Sequence, residues 1–181
     1  MKFHEARLPG AWLIEIERLE DERGFFARSF CQHEFQEHGL DPTVAQCNIS
    51  QNRLQGTLRG MHFQLPPFAE AKLVRCTRGA IYDAIIDLRP ASPAFLRWEA
   101  FELSAADCRM LYVPKGFAHG FLTLQDDSEV FYQMSEFYAP QAARGVRWDD
   151  PLFGIEWPAP VCRISPKDGA YPDSRPEDFK L

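Results

Sequence analysis

Five cysteines among 181 residues are too few, and odd in number, for a disulfide framework: Cys31, Cys47, Cys76, Cys108 and Cys162 show no C-x-x-C pairing. Their pattern argues against a cysteine-based zinc site and suits reduced thiols in a cytoplasm. Positive charge is also in short supply. Twenty Lys and Arg against 26 Asp and Glu leave a net charge of −6 and a pI near 5.4. That argues against a general nucleic-acid binder, because a phosphate backbone calls for a basic face. A small anionic ligand remains allowed, since it needs only a few local cations. No apolar run approaches the length of a membrane span, and "MKFHEARLPGAW" lacks the apolar centre of a signal peptide; no membrane association is expected. Repeats, low-complexity tracts and linkers are missing too, so residues 1–181 read as one domain.

What is present is a large apolar fraction, 45% of residues with 15 Phe, set among 14 Pro and 11 Gly. Short runs rich in Val, Ile, Phe and Tyr between such breakers predict an all-β fold. Strands are expected at 12–18 and, after the turn "EDERG", at "FFARSF". Further strands follow at 44–51, 56–65, 71–78, 80–88, 95–103, 109–113, 117–124 and 129–137. "CQHEFQEHGL" predicts a helix capped by Gly39, with His33 and His38 on its solvated side. In "GAIYDAIIDLR", Ile81, Asp83, Ile85 and Asp87 share one face, and Tyr82, Ala84, Ile86 and Leu88 the other. The expected organisation is N-terminal strands over 1–43, a barrel core over about 44–138 and a wrapping tail over about 139–181. A sandwich, jelly roll or barrel suits so many short strands.

Two stretches carry chemistry. "TLRGMHFQLPPFAEAKLVR" supplies Arg59, His62, Gln64, Glu70 and Lys72, and "VPKGFAHGF" supplies His119. By strand parity Arg59 opposes His62 and Gln64, which a strand built only for burial would not require. The P-x-G-x-x-H spacing of Pro114, Gly116 and His119 resembles the second motif of the cupin superfamily, whose histidine faces the mouth of a small jelly-roll barrel. Metal-binding cupins carry H-x-H and a glutamate in the first motif. Here that motif reads His62-Phe63-Gln64, with Glu70 displaced, which is a poor ligand set. No metal and no cofactor are expected. The same residues suit proton abstraction beside a carbonyl: a histidine base, a lysine at the enolate oxygen, and an acid on the opposite face. Tyr132 shares parity with Val130 and Met134 and so points inward.

"DERGFF", "LRGMHFQ", "EAKLVRCTRGAIYDAIIDLRPASP", "YVPKGFAHGF", "FYQMSEFYAP", "WDDPLFGIEWP" and "ISPKD" resemble, in order, the signature blocks of the dTDP-4-dehydrorhamnose 3,5-epimerase family, over about residues 20 to 170. The resemblance implies a cupin-type jelly roll with a few short peripheral helices. It also implies a metal-independent homodimer of deoxysugar biosynthesis that epimerises a nucleotide-diphosphate 4-keto-6-deoxy sugar at C3, C5 or both. Carried over by motif, His62 is the base, Asp168 orients it, Lys72 holds the enolate oxygen and Tyr132 returns the proton. His119 lines the sugar pocket, and Arg23, Gln46, Asn48, Arg59 and Lys167 match positions that hold the nucleotide and its diphosphate. Tyr138 is a candidate wall of the base pocket.

Taken singly, these side chains read as ordinary hydrogen-bonded, solvated or packing residues; taken as an ordered set, they read as a site. The chain departs from the family pattern at three places. Arg28 stands where a glutamate is usual, Cys47 where an aspartate is common, and Ala143 near a common glutamate. A guanidinium has no acceptor to offer a base N–H, so a different base, or a different grip on it, is one expectation; Arg28 turned to solvent with dTDP retained is the other. Rival readings are a metal-dependent cupin isomerase or dioxygenase and a sugar-binding cupin without turnover.

Overall fold

Ile81 and Ile85 on one side of residues 80–87, and Ala84 and Ile86 on the other, are all fully buried. A strand buried on both faces must be covered twice, and the fold provides both covers. The computed structural model describes residues 1–179. Its strands run β1 (Lys2–Glu5), β2 (Trp12–Glu15), β3 (Leu19–Asp21), β4 (Gly24–Phe26), β5 (Gln46–Asn52), β6 (Leu58–Gln64) and β7 (Lys72–Arg78). They continue with β8 (Ala80–Asp87), β9 (Trp98–Ser104), β10 (Met110–Val113), β11 (Phe117–Thr123), β12 (Ser128–Met134) and β13 (Ala143–Gly145), and the helices are α1 (Gln32–Glu37) and α2 (Pro166–Gly169).

Two antiparallel sheets face each other in a cupin-like jelly roll. One has six strands in the order β1-β2-β10-β7-β12-β5, the other five in the order β13-β6-β11-β8-β9. Between them lie Val74, Ile81, Ile85, Leu103, Leu111 and Val130. The outer face of the five-stranded sheet carries Ala84, Ile86 and Leu88, covered by Phe153, Phe179 and the half-buried Trp157 of the tail. Helix α1 covers the six-stranded sheet, its Phe35 packing with Ile14, Met110 and Tyr112. Burying each such large side chain contributes on the order of 2 kcal/mol.

The eight strands expected between residues 44 and 137 are all present, with ends shifted by at most three residues. The helix is shorter than its ten-residue motif. It ends where expected: Gly39 takes a left-handed φ of +70°, and the Leu40 N–H donates to the Phe35 carbonyl at 2.9 Å. "FFARSF" is corrected. Only Gly24–Phe26 is strand, paired with β3 in a two-stranded hairpin apart from both sheets, because Arg28 and the residues beyond it lead into α1. Strands β1 and β13 are short and polar, and their alternation is too brief to read. No helix among the described residues is long and apolar enough to cross a membrane.

Candidate active site

The register of β6 resolves its unusual polarity. His62 pairs with His119 of β11, and Arg59 pairs with Phe121, so three steps along β6 match two along β11. That extra residue is a bulge, and it brings Arg59 and His62 to one face despite their odd spacing. Gly60 makes it possible: its φ is +141°, and a Cβ there would lie 2.5 Å from the Cα of Gly120. Gln64 has a structural task. Its amide donates to the carbonyls of Phe68 at 2.9 Å and Phe137 at 3.2 Å, and its oxygen accepts from the Ala139 N–H at 2.6 Å.

His62 Nε2 lies 2.8 Å from Asp168 Oδ1, across 106 residues of sequence. Asp168 sits in the single turn of α2, where its N–H donates to the Ser165 hydroxyl at 3.0 Å and Pro166 opens the turn. The imidazole is 44% exposed and the carboxylate 7%, so a ligand can reach the ring while its partner stays sheltered. Burial works to raise the Asp168 pKa, but the hydrogen bond and charge of His62 and the Gly60 N–H outweigh it. The group lies below its ordinary value. A fixed carboxylate on one ring nitrogen leaves the other available as a base.

Lys72 and Tyr132 come from the opposite sheet. The Lys72 ammonium pairs with Glu70 at 2.7 Å, both side chains being buried, and its second contact is the His62 carbonyl at 3.4 Å. Burial pushes the Tyr132 phenol above its ordinary pKa, against the opposing charge of Arg59, so it holds its proton at neutral pH. His119 Nε2 meets Asp83 Oδ1 at 2.5 Å in a second imidazole–carboxylate pair, here almost wholly buried. His62, Lys72, His119, Tyr132, Tyr138 and Asp168 all line one cavity of about 740 Å³ between the sheets. Its mixed lining of charged and apolar side chains suits a polar ligand the size of a sugar nucleotide.

Residues 5–175 match the sequence profile of dTDP-4-dehydrorhamnose 3,5-epimerase. The chain belongs to that family. A dTDP-4-dehydrorhamnose 3,5-epimerase of Sinorhizobium fredii is 41% identical, over 95% of this chain and 89% of the relative. The crystal structure of the Bacillus anthracis dTDP-4-dehydrorhamnose 3,5-epimerase with TDP and PPi bound superposes with a TM-score of 0.91 at 41% identity, covering 94% of this chain and 98% of that one. ChmJ, a 3′-monoepimerase of Streptomyces bikiniensis solved with dTDP-quinovose, gives 0.86 at 35% identity, covering 93% and 86%. The protein is therefore an epimerase, an isomerase of the nucleotide-sugar class.

Within this epimerase, Arg59 and Lys167 also line the cavity. Arg59 is held by Asn52, which accepts from its Nε at 2.6 Å. Gln46 stands behind the wall, its oxygen accepting from the Tyr138 N–H at 2.6 Å, and the Asn48 amide contacts the Met134 sulfur at 3.4 Å. Arg23 and Arg28 lie outside the cavity of their own chain. Arg23 folds back on Asp21 in the exposed β3–β4 hairpin, and Arg28 pairs with Glu34 at 3.0 Å. Cys47 is exposed on β5, while Ala143 lines the cavity. Glu70 reads from sequence only as a displaced metal ligand, and the structure gives it the buried partnership with Lys72. From sequence Asp83 was visible only as sharing a strand face with Ile81, Ile85 and Asp87; its cross-strand neighbour Phe121 and its partner His119 emerge from the pairing of β8 with β11. Among the described residues, no group of three or more His, Cys, Asp and Glu is placed to hold a metal ion.

Proposed function

We propose that this epimerase acts on a dTDP-linked 4-keto-6-deoxyhexose, inverting the carbons on either side of the keto group. His62, oriented by Asp168, removes a proton from C3 or C5. The electron pair moves into the C4 carbonyl, and the Lys72 ammonium stabilises the enolate oxygen so formed. Tyr132 delivers a proton from the other face as the carbonyl re-forms, and both residues then exchange protons with solvent, so no atom is gained or lost. The carrying observation is that base and acid stand on opposite sheets facing one cavity. Inversion requires opposite faces, whereas a binding protein has no use for an imidazole oriented by a buried carboxylate with a protonated phenol on the opposite sheet.

The substrate-binding assignment extends to Arg59, His119, Lys167 and Tyr138 from one chain, with Gln46 and Asn48 behind them. It extends to Arg23 and Arg28 from a second copy in a homodimer. Support for the dimer comes from the hairpin that carries Arg23: Leu19 and Phe26 on it are 68% and 72% exposed, a solvent-facing apolar patch that a partner would cover. Sedimentation equilibrium tests this, and a monomer at micromolar concentration overturns it. The free cysteines favour the cytoplasm as its compartment.

Incubation with dTDP-4-keto-6-deoxyglucose in deuterium oxide, followed by NMR, tests the reaction. Deuterium at C3 and C5 with inverted products is expected; exchange at one carbon marks a monoepimerase, and no exchange overturns the proposal. Calorimetry with dTDP, CDP, GDP and UDP tests the base, and preference for one of the other three overturns thymine.

A further inference from the structure

The catalytic reading leaves Arg163 without a task, although it lines the cavity. Its backbone is fixed against the segment that leads into β6. The Arg163 N–H donates to the Gly56 carbonyl at 3.1 Å, the Arg163 carbonyl accepts from the Leu58 N–H at 2.8 Å, and Thr57 and Arg163 form a parallel bridge. Bridge partners project to the same face, and Thr57 and Arg59 share a face two residues apart. Arg163 and Arg59 therefore stand as neighbours on the cavity side. Thr57, Arg59 and Arg163 all border the cavity.

Neither arginine has an acidic partner within 4 Å among the described residues, nor do Arg144 and Lys167 on the same wall. The two cavity acids, Glu70 and Asp168, are already engaged by Lys72 and His62. Arg163 spends one Nη1 contact on the Cys162 carbonyl at 2.9 Å, and among the described residues its Nε and Nη2 meet no acceptor. In a chain of net charge −6, unpaired arginines side by side repel each other unless an anion joins them. A planar guanidinium with two free N–H groups offers a fork that fits phosphate.

We propose that Arg163 is a ligand for the substrate's diphosphate, acting beside Arg59 on the wall that also carries Lys167. This rests on the nucleotide-sugar reading of the cavity and adds to it a further specificity-determining residue. Calorimetry at low salt on the full-length protein tests it, with dTDP, inorganic pyrophosphate and thymidine as probes. Arg163→Ala is expected to weaken dTDP and pyrophosphate about fivefold to tenfold, with thymidine unchanged and with a shallower dependence on salt. Arg163→Lys recovers part of the loss, having the charge without the fork. Arg97→Ala, exposed and away from the cavity, stays within about twofold and so separates contact from net charge.

Unchanged binding of dTDP and pyrophosphate by Arg163→Ala overturns the proposal, as does an equal loss for thymidine. If the wild type takes pyrophosphate with this arginine dependence but not dTDP, the nucleotide reading fails while the anion site stands. If the wild type takes neither, both fail.

Discussion

Three ionisable pairs stand at the cavity, Lys72 with Glu70, His62 with Asp168 and His119 with Asp83, whereas Arg59, Arg144 and Arg163 on its lining have no acidic partner among the described residues. The carboxylate of each pair is buried, where an unpaired charge is costly and a paired one is held in place. Groups that must meet a reacting carbon to within a fraction of an ångström benefit from that fixity. Those arginines face solvent, where an unpaired guanidinium stays hydrated at little cost until an anion arrives. On the proposed reading, the paired groups serve the chemistry and the unpaired arginines the capture of substrate.

Breaking the chemical side of this contrast has the largest expected effect. His62→Ala is expected to slow deuterium exchange at both carbons by about a thousandfold or more, with dTDP affinity within about twofold of wild type; a parallel loss of affinity would place the ring in capture instead. Tyr132→Phe comes next, at about a hundredfold on completed inversion and less on deuterium wash-in. Equal losses in both would count against its role as the returning acid.

The pairing itself is tested by stability. Glu70→Ala leaves a buried ammonium alone and is expected to cost about 3 kcal/mol in urea unfolding, much of it recovered by the double change Glu70→Leu with Lys72→Met. No recovery would mean that packing at Glu70, not charge, is at stake. The smallest effect concerns pH. Asp168 has a lowered pKa, so its contribution is fully present above the unfolded value of about 4 and is lost as pH falls through the lower folded value. The stability gap between wild type and Asp168→Asn should be constant from pH 7 to about 5 and close below about 4. A gap independent of pH would detach the carboxylate charge from the dyad. Thiol titration gives a control away from the cavity. Burial pushes Cys76 up to about 11, so it should stay unlabelled in the native protein while exposed Cys162 reacts.

Much of this was legible along the chain. The alternation of residues 80–87 gave both faces of β8 correctly, because a period of two survives any packing that keeps the strand buried. The parity of Tyr132 with Val130 and Met134 held for the same reason: Val130 is in the core, and Tyr132 and Met134 line the cavity. The same rule misled at Arg59, since one bulge inverts parity and nothing local in "LRGMHFQ" beyond Gly60 announces it. The polarity of Gln64 looked like a vacated metal-ligand position, and its bonds to residues 137 and 139 lie too far along the chain to be seen.

Composition, strand periodicity and the order of motifs were enough to determine the all-β class, the two faces of β8, the inward side of Tyr132 and the family resemblance. These are properties of a residue and its near neighbours. Tertiary structure alone decided which groups meet: Asp168 on His62 across 106 residues, Glu70 on Lys72, Arg163 bridged to Thr57, and a bulge that brings Arg59 and His62 to one face. Each depends on strand pairing and register, which are fixed by the packing of distant segments and leave no local trace in the chain.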